Sequence, residues 1–301
     1  MDSVGQTIRK IRLSKKISSE ALYGGLLSRQ ARSKFEKGES DTTVSKFFML
    51  LDRLNLSLDE FYVALTQKES VEFHLFSNIA LTFYKKDIDG LKLLIKKLNN
   101  EHERTNNIKY QHYEIMVQNM LNILEGKPQS IEFAKLSDYL ANCDSWGYYE
   151  IMLFSNSIDY FTKELINIVF KRVKNTIVKF QLLRRYRNEY SMLLLNIINK
   201  GLLDFDFSFA LKYFEEYELL AEPLQNDMYY QTMRKFFYEI ICACTNKDHS
   251  THELEKIIEY LGYFNMKNKQ KQCIELLERL HFHVEKINNE KRGIFFEVTK
   301  S

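Results

Sequence analysis

Two prolines and ten glycines are all that this 301-residue chain contains of the two strongest backbone breakers. Proline removes a hydrogen-bond donor and glycine weakens a helix interior, so a chain this poor in both runs in long helices with short joints. A sheet protein of the same length needs many tight turns, and tight turns use these residues at fixed places. The chain is 45% hydrophobic and 14% aromatic, enough for a packed core and unlike a disordered sequence. Its length exceeds one ordinary domain, so two are expected. The fold class that follows is all-α.

Charge divides the chain in the same way. Residues 1–37 hold nine Lys and Arg against three Asp and Glu, whereas the whole chain nets only +3, so the rest is mildly acidic. A basic head on an acidic body suits local contact with phosphates. No apolar run reaches the roughly 18 residues of a membrane span. The N-terminus lacks a basic segment followed by an apolar one. Cys143, Cys242, Cys244 and Cys273 show no secreted disulfide framework. A cytoplasmic protein without membrane partners is expected.

Five short helices are legible between Val4 and Leu65. Val4, Ile8 and Ile11 follow a helical period, leaving Arg9, Arg12 and Lys15 outward. Ser18 or Ser19 caps a second helix that stops at Gly24-Gly25. Ser28 caps a third, in which Ala31 and Phe35 point inward together and Gly38 ends the run. A fourth, from about Thr43 to Leu54, buries Phe47, Leu50, Leu51 and Leu54. The fifth opens on a Ser57–Glu60 capping box.

Beyond residue 66 turn signals recur. Asp87-Ile88-Asp89-Gly90, Glu125-Gly126-Lys127-Pro128, Thr162-Lys163-Glu164, Lys200-Gly201 and Thr245-Asn246-Lys247-Asp248 separate amphipathic stretches. The spacings from Lys86 through Lys127, Lys163 and Gly201 to Lys247 are 41, 36, 38 and 46 residues. Helix–turn–helix repeats of roughly 34–45 residues produce such intervals. Stacked pairs form a solenoid with a concave groove. The expected architecture is a five-helix basic domain over 1–66 and a tetratricopeptide-like repeat domain over 67–301.

Several constellations tempt a catalytic or metal reading. Cys242-Ala243-Cys244 is followed by His249, His252 and Cys273, but helical residues two apart diverge by about 200°. Buried thiols are the simpler expectation. His281-Phe282-His283 has the same spacing problem, and Glu101-His102-Glu103-Arg104 lacks the second histidine of a zincin helix. Trp146 beside Tyr148 and Tyr149 reads as a packing anchor. With no phosphate loop, nucleophile elbow or paired-carboxylate frame, no enzyme, cofactor or metal site is expected.

The head resembles the lambda-repressor/Cro-like (XRE) helix-turn-helix family over its whole length. The resemblance rests on Gly5-x-x-Ile8-Arg9-x-Ile11-Arg12, on Ser28-Arg29-x-x-x-Ser33-x-Phe35-Glu36-x-Gly38-Glu39-Ser40 and on Leu56-Ser57-Leu58-Asp59-Glu60-Phe61. It departs in the second helix, where Ser18-Ser19-Glu20-Ala21-Leu22-Tyr23 replaces the usual Gln-Glu-x-Leu-Ala. The resemblance implies that the third helix enters the major groove of double-stranded promoter DNA. Arg29 and Arg32 then meet guanine and Gln30 adenine, with Ser28, Ser33 and Lys34 on phosphates or secondary base contacts. Arg12 and Lys15 suit phosphate anchoring, although Glu36 is expected to pair internally with an arginine of the first helix such as Arg12.

Head and body together resemble the Rgg/GadR/MutR family of Gram-positive regulators. The body's share of that likeness lies in Tyr148-Tyr149-Glu150-Ile151-Met152-Leu153-Phe154-Ser155-Asn156-Ser157 and in Leu193-Leu194-Leu195-Asn196-Ile197-Ile198. This resemblance implies a homodimeric transcriptional regulator governed by a short peptide in the groove. Asn156 and Asn196 are then the candidates for gripping a peptide backbone, since one amide both donates and accepts. Their other available role is capping or bridging helices. Arg185, with Arg184 and Arg187, lies near Tyr190 and offers a site for an acidic peptide or its terminal carboxylate. The alternative function is a protein–protein scaffold without a peptide.

Overall fold

The computed structural model describes residues 2–66, 71–180, 182–220, 224–246, 248–289 and 293–300. The chain divides into two compact units, Met1–Leu94 and Ile95–Ser301.

The first unit begins with α1 (Val4–Ser14), α2 (Ser19–Tyr23), α3 (Arg29–Lys37), α4 (Val44–Arg53) and α5 (Leu58–Thr66). Their starts follow from local chemistry. Ser3 and Gln6 form a capping box on α1, and the Ser18, Ser28 and Thr43 hydroxyls accept from Ala21, Ala31 and Lys46 amides. Ser57 and Glu60 exchange the same pair of bonds before α5. Gly38 closes α3 in the left-handed region at φ 79°, where a side chain is strained. Ile8, Leu22, Tyr23, Phe35, Leu50, Leu51, Leu54 and Phe61 form the core of these five helices. α6 (Val71–Tyr84) follows, and Lys86 turns the chain at φ 55° into α7 (Ile88–Thr105), capped by Asp87 accepting from the Gly90 amide.

The second unit continues with α8 (Ile108–Glu125), α9 (Phe133–Asn142), α10 (Tyr148–Asn156), a 3₁₀ turn at Ile158–Tyr160, α11 (Lys163–Phe180), α12 (Arg184–Leu203), α13 (Phe207–Glu218), α14 (Met228–Thr245), α15 (His252–Tyr263) and α16 (Lys267–Arg279). The repeat spacing reappears as contacts. Tyr148–Glu189, Asn119–Tyr160, Asn196–Ser155 and Lys200–Asp159 are hydrogen-bonded, and each pair is 41 residues apart. α8, α10 and α12 therefore lie side by side in the same direction. A second row follows a similar offset, with Lys174 on Glu216 and Lys212 on Asn167 between α11 and α13.

Gly126 ends α8 in the left-handed region and Thr162 caps α11, as turn signals should. Lys200-Gly201 is different. The expected turn there is corrected: both residues lie inside α12, and the chain reverses at 204–206. A Cβ on Gly201 would stand 2.9 Å from the Ala210 nitrogen and 3.0 Å from the Phe209 ring. The glycine lets α12 and α13 approach, which a turn glycine and a packing glycine signal identically in sequence. Of the last turn signal, Lys247 lies outside the described residues, while Thr245 does end α14.

The array ends in a hairpin, β1 (Phe282–Asn289) against β2 (Gly293–Lys300), antiparallel with Phe282 opposite Lys300. Phe296 and Val298 are buried while Glu297 and Thr299 are exposed, the period of a half-covered strand. Helix α15 takes the place of a third strand. Glu259 and Glu255 accept the Phe296 and Val298 amides, and the Thr251 hydroxyl donates to the Val298 carbonyl. Among the described residues no helix is long and apolar enough to cross a membrane.

Candidate functional site

The predicted DNA-reading residues fall into two groups. Arg29, Gln30, Ser33 and Lys34 are all exposed on α3, opposite buried Phe35. Arg32 is half-buried and lies 3.4 Å from Glu20, whose side chain is almost fully in solvent. Such an exposed ion pair is weak, so the guanidinium stays available to a stronger anion. Ser28 is spent on its cap, its hydroxyl 3.3 Å from the Ala31 amide.

Arg12 and the exposed Lys15 both make hydrogen bonds within the head. Arg12 Nε donates to Glu36 Oε1 at 2.9 Å, Nη2 to Oε2 at 3.3 Å and Nη1 to the Ile17 carbonyl at 3.1 Å. The Glu36 hydrogen bond raises the Arg12 pKa, and desolvation opposes it only in part. Of its two expected roles the structure shows the internal one, with three of the five guanidinium N–H donors used inside the head. Burial likewise pushes the neighbouring Tyr23 phenol up. The Lys15 ammonium donates to the Leu54 and Asn55 carbonyls and caps α4.

In the repeat unit the two asparagines come together. Asn196 Nδ2 donates to the Ser155 carbonyl at 3.1 Å and to its hydroxyl at 3.2 Å, which sets α12 beside the residue preceding Asn156. Asn156 Nδ2 donates to the Met152 carbonyl at 2.8 Å. Both nitrogens are thus held in place, and both side chains are half-buried. Tyr190 stands apart: it is buried and stacked on Phe170, with centroids 6.0 Å apart, so it is part of the packing between α11 and α12. Arg185 is exposed, its guanidinium 5.4 Å above the Tyr148 ring and 5.6 Å above Tyr186.

The segment beginning at Tyr148 fastens the array. The Tyr148 amide donates to the Tyr186 hydroxyl, and its own hydroxyl donates to Glu189, a carboxyl pushed up by burial. Glu150 accepts from the Gly147 amide and the Tyr139 hydroxyl. His112 pairs with the Tyr149 hydroxyl at 2.7 Å, and burial lowers its pKa, which favours the neutral ring. Trp146 is buried edge-on to Phe154. His249, drawn into the metal question by sequence, instead meets Glu239 at 2.6 Å, and Cys273 is buried.

Two groups beside the asparagines carry no signal in a motif search. Lys200 Nζ donates to the Asp159 carbonyl at 3.2 Å and lies 3.7 Å from Asp204. Only the 41-residue offset, applied residue by residue, pairs them in advance. The later helices return to this place, since the His281 ring stacks on Phe205 at 5.7 Å.

Comparison with known proteins agrees with this fold. Residues 95–275 match the family described as HTH-type transcriptional regulator Rgg, C-terminal domain. A Listeria monocytogenes EGD-e protein shares the fold with a TM-score of 0.79 at 21% identity, over 92% of this chain and 96% of that one. The Streptococcus dysgalactiae SHP pheromone receptor Rgg2 gives 0.70 at 22%, over 91% and 98%. PrgX in complex with cCF10 gives 0.68 at 15%, over 99% and 100%. The family match covers well over half of the chain, and the chain is therefore a member of the Rgg family of helix-turn-helix transcriptional regulators.

Proposed function

We propose that this regulator binds promoter DNA as a homodimer through α3 and is controlled by a short peptide held in the groove of its repeat unit. The observation that carries the first part is the stripe of Arg29, Gln30, Ser33 and Lys34. These side chains are exposed on a helix capped at both ends and backed by Phe35. Arginine and glutamine match the two acceptors of guanine and the mixed edge of adenine, while Lys34 serves phosphate. One head spans few base pairs, and two on a near-palindrome combine their contacts.

For the peptide, support comes from Asn156 and Asn196 on adjacent parallel helices, each with its amide nitrogen anchored. An anchored amide presents its carbonyl oxygen in a fixed direction to a peptide N–H. Two proteins that share the fold are an SHP pheromone receptor and PrgX bound to cCF10, which favours the same use of the array here. Control then requires the peptide to bind two arrangements of the regulator unequally.

Footprinting of the full-length protein on the promoter regions flanking its gene tests the DNA reading. Protection by the wild type that is lost in Arg29→Ala is expected; equal protection by both removes α3 as the reader. A peptide response that survives Asn156→Ala and Asn196→Ala together removes the asparagine grip.

A further inference from the structure

The turn from α8 to α9 carries an isoleucine that stands in water. Ile131 is 92% exposed, yet the loop that presents it is pinned from within. The Ser130 amide donates to Asn119 Oδ1 at 2.9 Å, and Asn122 Nδ2 donates to the Pro128 carbonyl at 3.0 Å. Both asparagines are buried. Asn119 is itself fixed, since its Nδ2 donates to the Ile115 carbonyl and its main-chain carbonyl accepts from the Tyr160 hydroxyl. The loop thus holds Ile131 in one place at the surface.

Ile131 stands at the rim of a recess of about 290 Å³ that opens to solvent. Buried Phe133 and Phe161 line it together with half-buried Tyr160. The Phe133 ring lies 5.1 Å from Phe161 and 5.4 Å from Tyr160. Ala134 on α9 and Leu165 on α11 add to its apolar lining. Ile168, one turn along α11 from Leu165, is 61% exposed and continues the apolar surface. Helices α9 and α11 are joined where Arg172 donates to the Leu140 carbonyl, and neither of them carries Asn156 or Asn196.

We propose that the recess receives Ile131 of a second copy of this chain, across a two-fold axis that seats each copy's Ile131 in the other's recess. The proposal rests on the regulator being a homodimer and names a contact that holds it together. Size favours a side chain as the occupant, since 290 Å³ lies just below the roughly 300 Å³ at which pockets begin to take whole ligands. A lone exposed aliphatic residue is ordinary on a protein surface. A knob and a hole on one patch are what a two-fold contact requires, because each copy must offer both halves. A loop already fixed loses little freedom on docking, and rings packed around the incoming side chain exclude water from it. Charge does not oppose the approach of like to like. The ions flanking Ile131 in sequence pair among themselves, Lys127 with Glu125 at 2.6 Å and Lys135 with Glu132.

Sedimentation of the full-length protein over a range of concentrations tests this contact. The wild type is expected to dimerise, and Ile131→Asp should raise the dissociation constant at least about tenfold. Ala134→Trp, which fills the mouth of the recess, should do the same. Both positions are exposed, so neither change removes buried packing within one copy. An equal mixture of the two variants should recover association, because the intact Ile131 of one meets the open recess of the other. Variants that dimerise as tightly as the wild type overturn the contact but leave the homodimer standing. So does a mixture that associates no better than either variant alone. A wild type that stays monomeric at every concentration overturns both.

Discussion

A Cβ on Gly5 would stand 1.7 Å from the Phe35 carbonyl oxygen, so α1 and α3 meet backbone to backbone at this point. Gly5→Ala must separate them, and a cost of about 3 kcal/mol is expected in urea unfolding of the full protein. An unchanged midpoint would contradict that packing. Arg12 holds the same two helices by charge. Its guanidinium side chain is 11% exposed and Glu36 is 15% exposed, so Arg12→Ala leaves a mostly buried carboxylate with the longer Arg9 contact at 3.6 Å as its remaining ion pair among the described residues. A loss of about 2 kcal/mol without DNA present is expected, lower than for a fully buried pair because some water remains. Arg12→Lys should restore little, since an ammonium cannot reproduce the two-pronged contact. At Glu189 the sign is opposite. Burial raises its carboxyl above the ordinary value, so folding works against the charged form. Glu189→Gln still accepts from Tyr148, and it should stabilise the protein at neutral pH. That gain must fade as pH falls below the usual glutamate range, where both states of the wild type are protonated. Thermal melts at pH 7 and pH 4 distinguish this from a gain at all pH values. Residue identities such as Gly5 and Glu36 were legible in the motif, but only the contacts say what each does.

Elements were most readable where their signals are local. The caps at Ser18, Ser28 and Ser57 and the stop at Gly38 depend on neighbours three or four residues away, and each is present. Signals failed where the partner is distant. Gly201 faces Phe209 and Ala210 across a reversal, and Gly201→Val should cost about 1–3 kcal/mol by forcing α13 away from α12. A wild-type melting temperature in that variant would return Gly201 to an ordinary helix position. The hairpin escaped notice for the same reason. Its strand alternation is short, and what covers its edge is a row of side chains on α15, forty residues earlier. Glu255→Ala with Glu259→Ala should speed hydrogen exchange at the Phe296 and Val298 amides, while exchange in α12 stays slow. For α3 the expected loss in Arg29→Ala is about 1–3 kcal/mol of specific DNA binding, with the non-specific component largely retained.

At the scale of the whole molecule the proposed homodimer sets the form of the operator. Two heads related by a two-fold axis should protect half-sites whose centres are about one helical turn apart, or a multiple of it. Footprints on a single isolated half-site of equal affinity would argue for a monomeric reader. The sequence by itself determined the helical class, the basic head with its caps and outward α3 stripe, and the repeat interval of the body. These depend on periodicity, breaker scarcity and hydrogen bonds within one turn of the chain. Only the tertiary structure decided that Arg12 is tied to Glu36, that the exposed Lys15 is fastened to the end of α4, that Tyr190 is core, and that Gly201 lies inside α12. Each of those outcomes turns on groups far apart in sequence whose distances are set by packing, which no local pattern encodes.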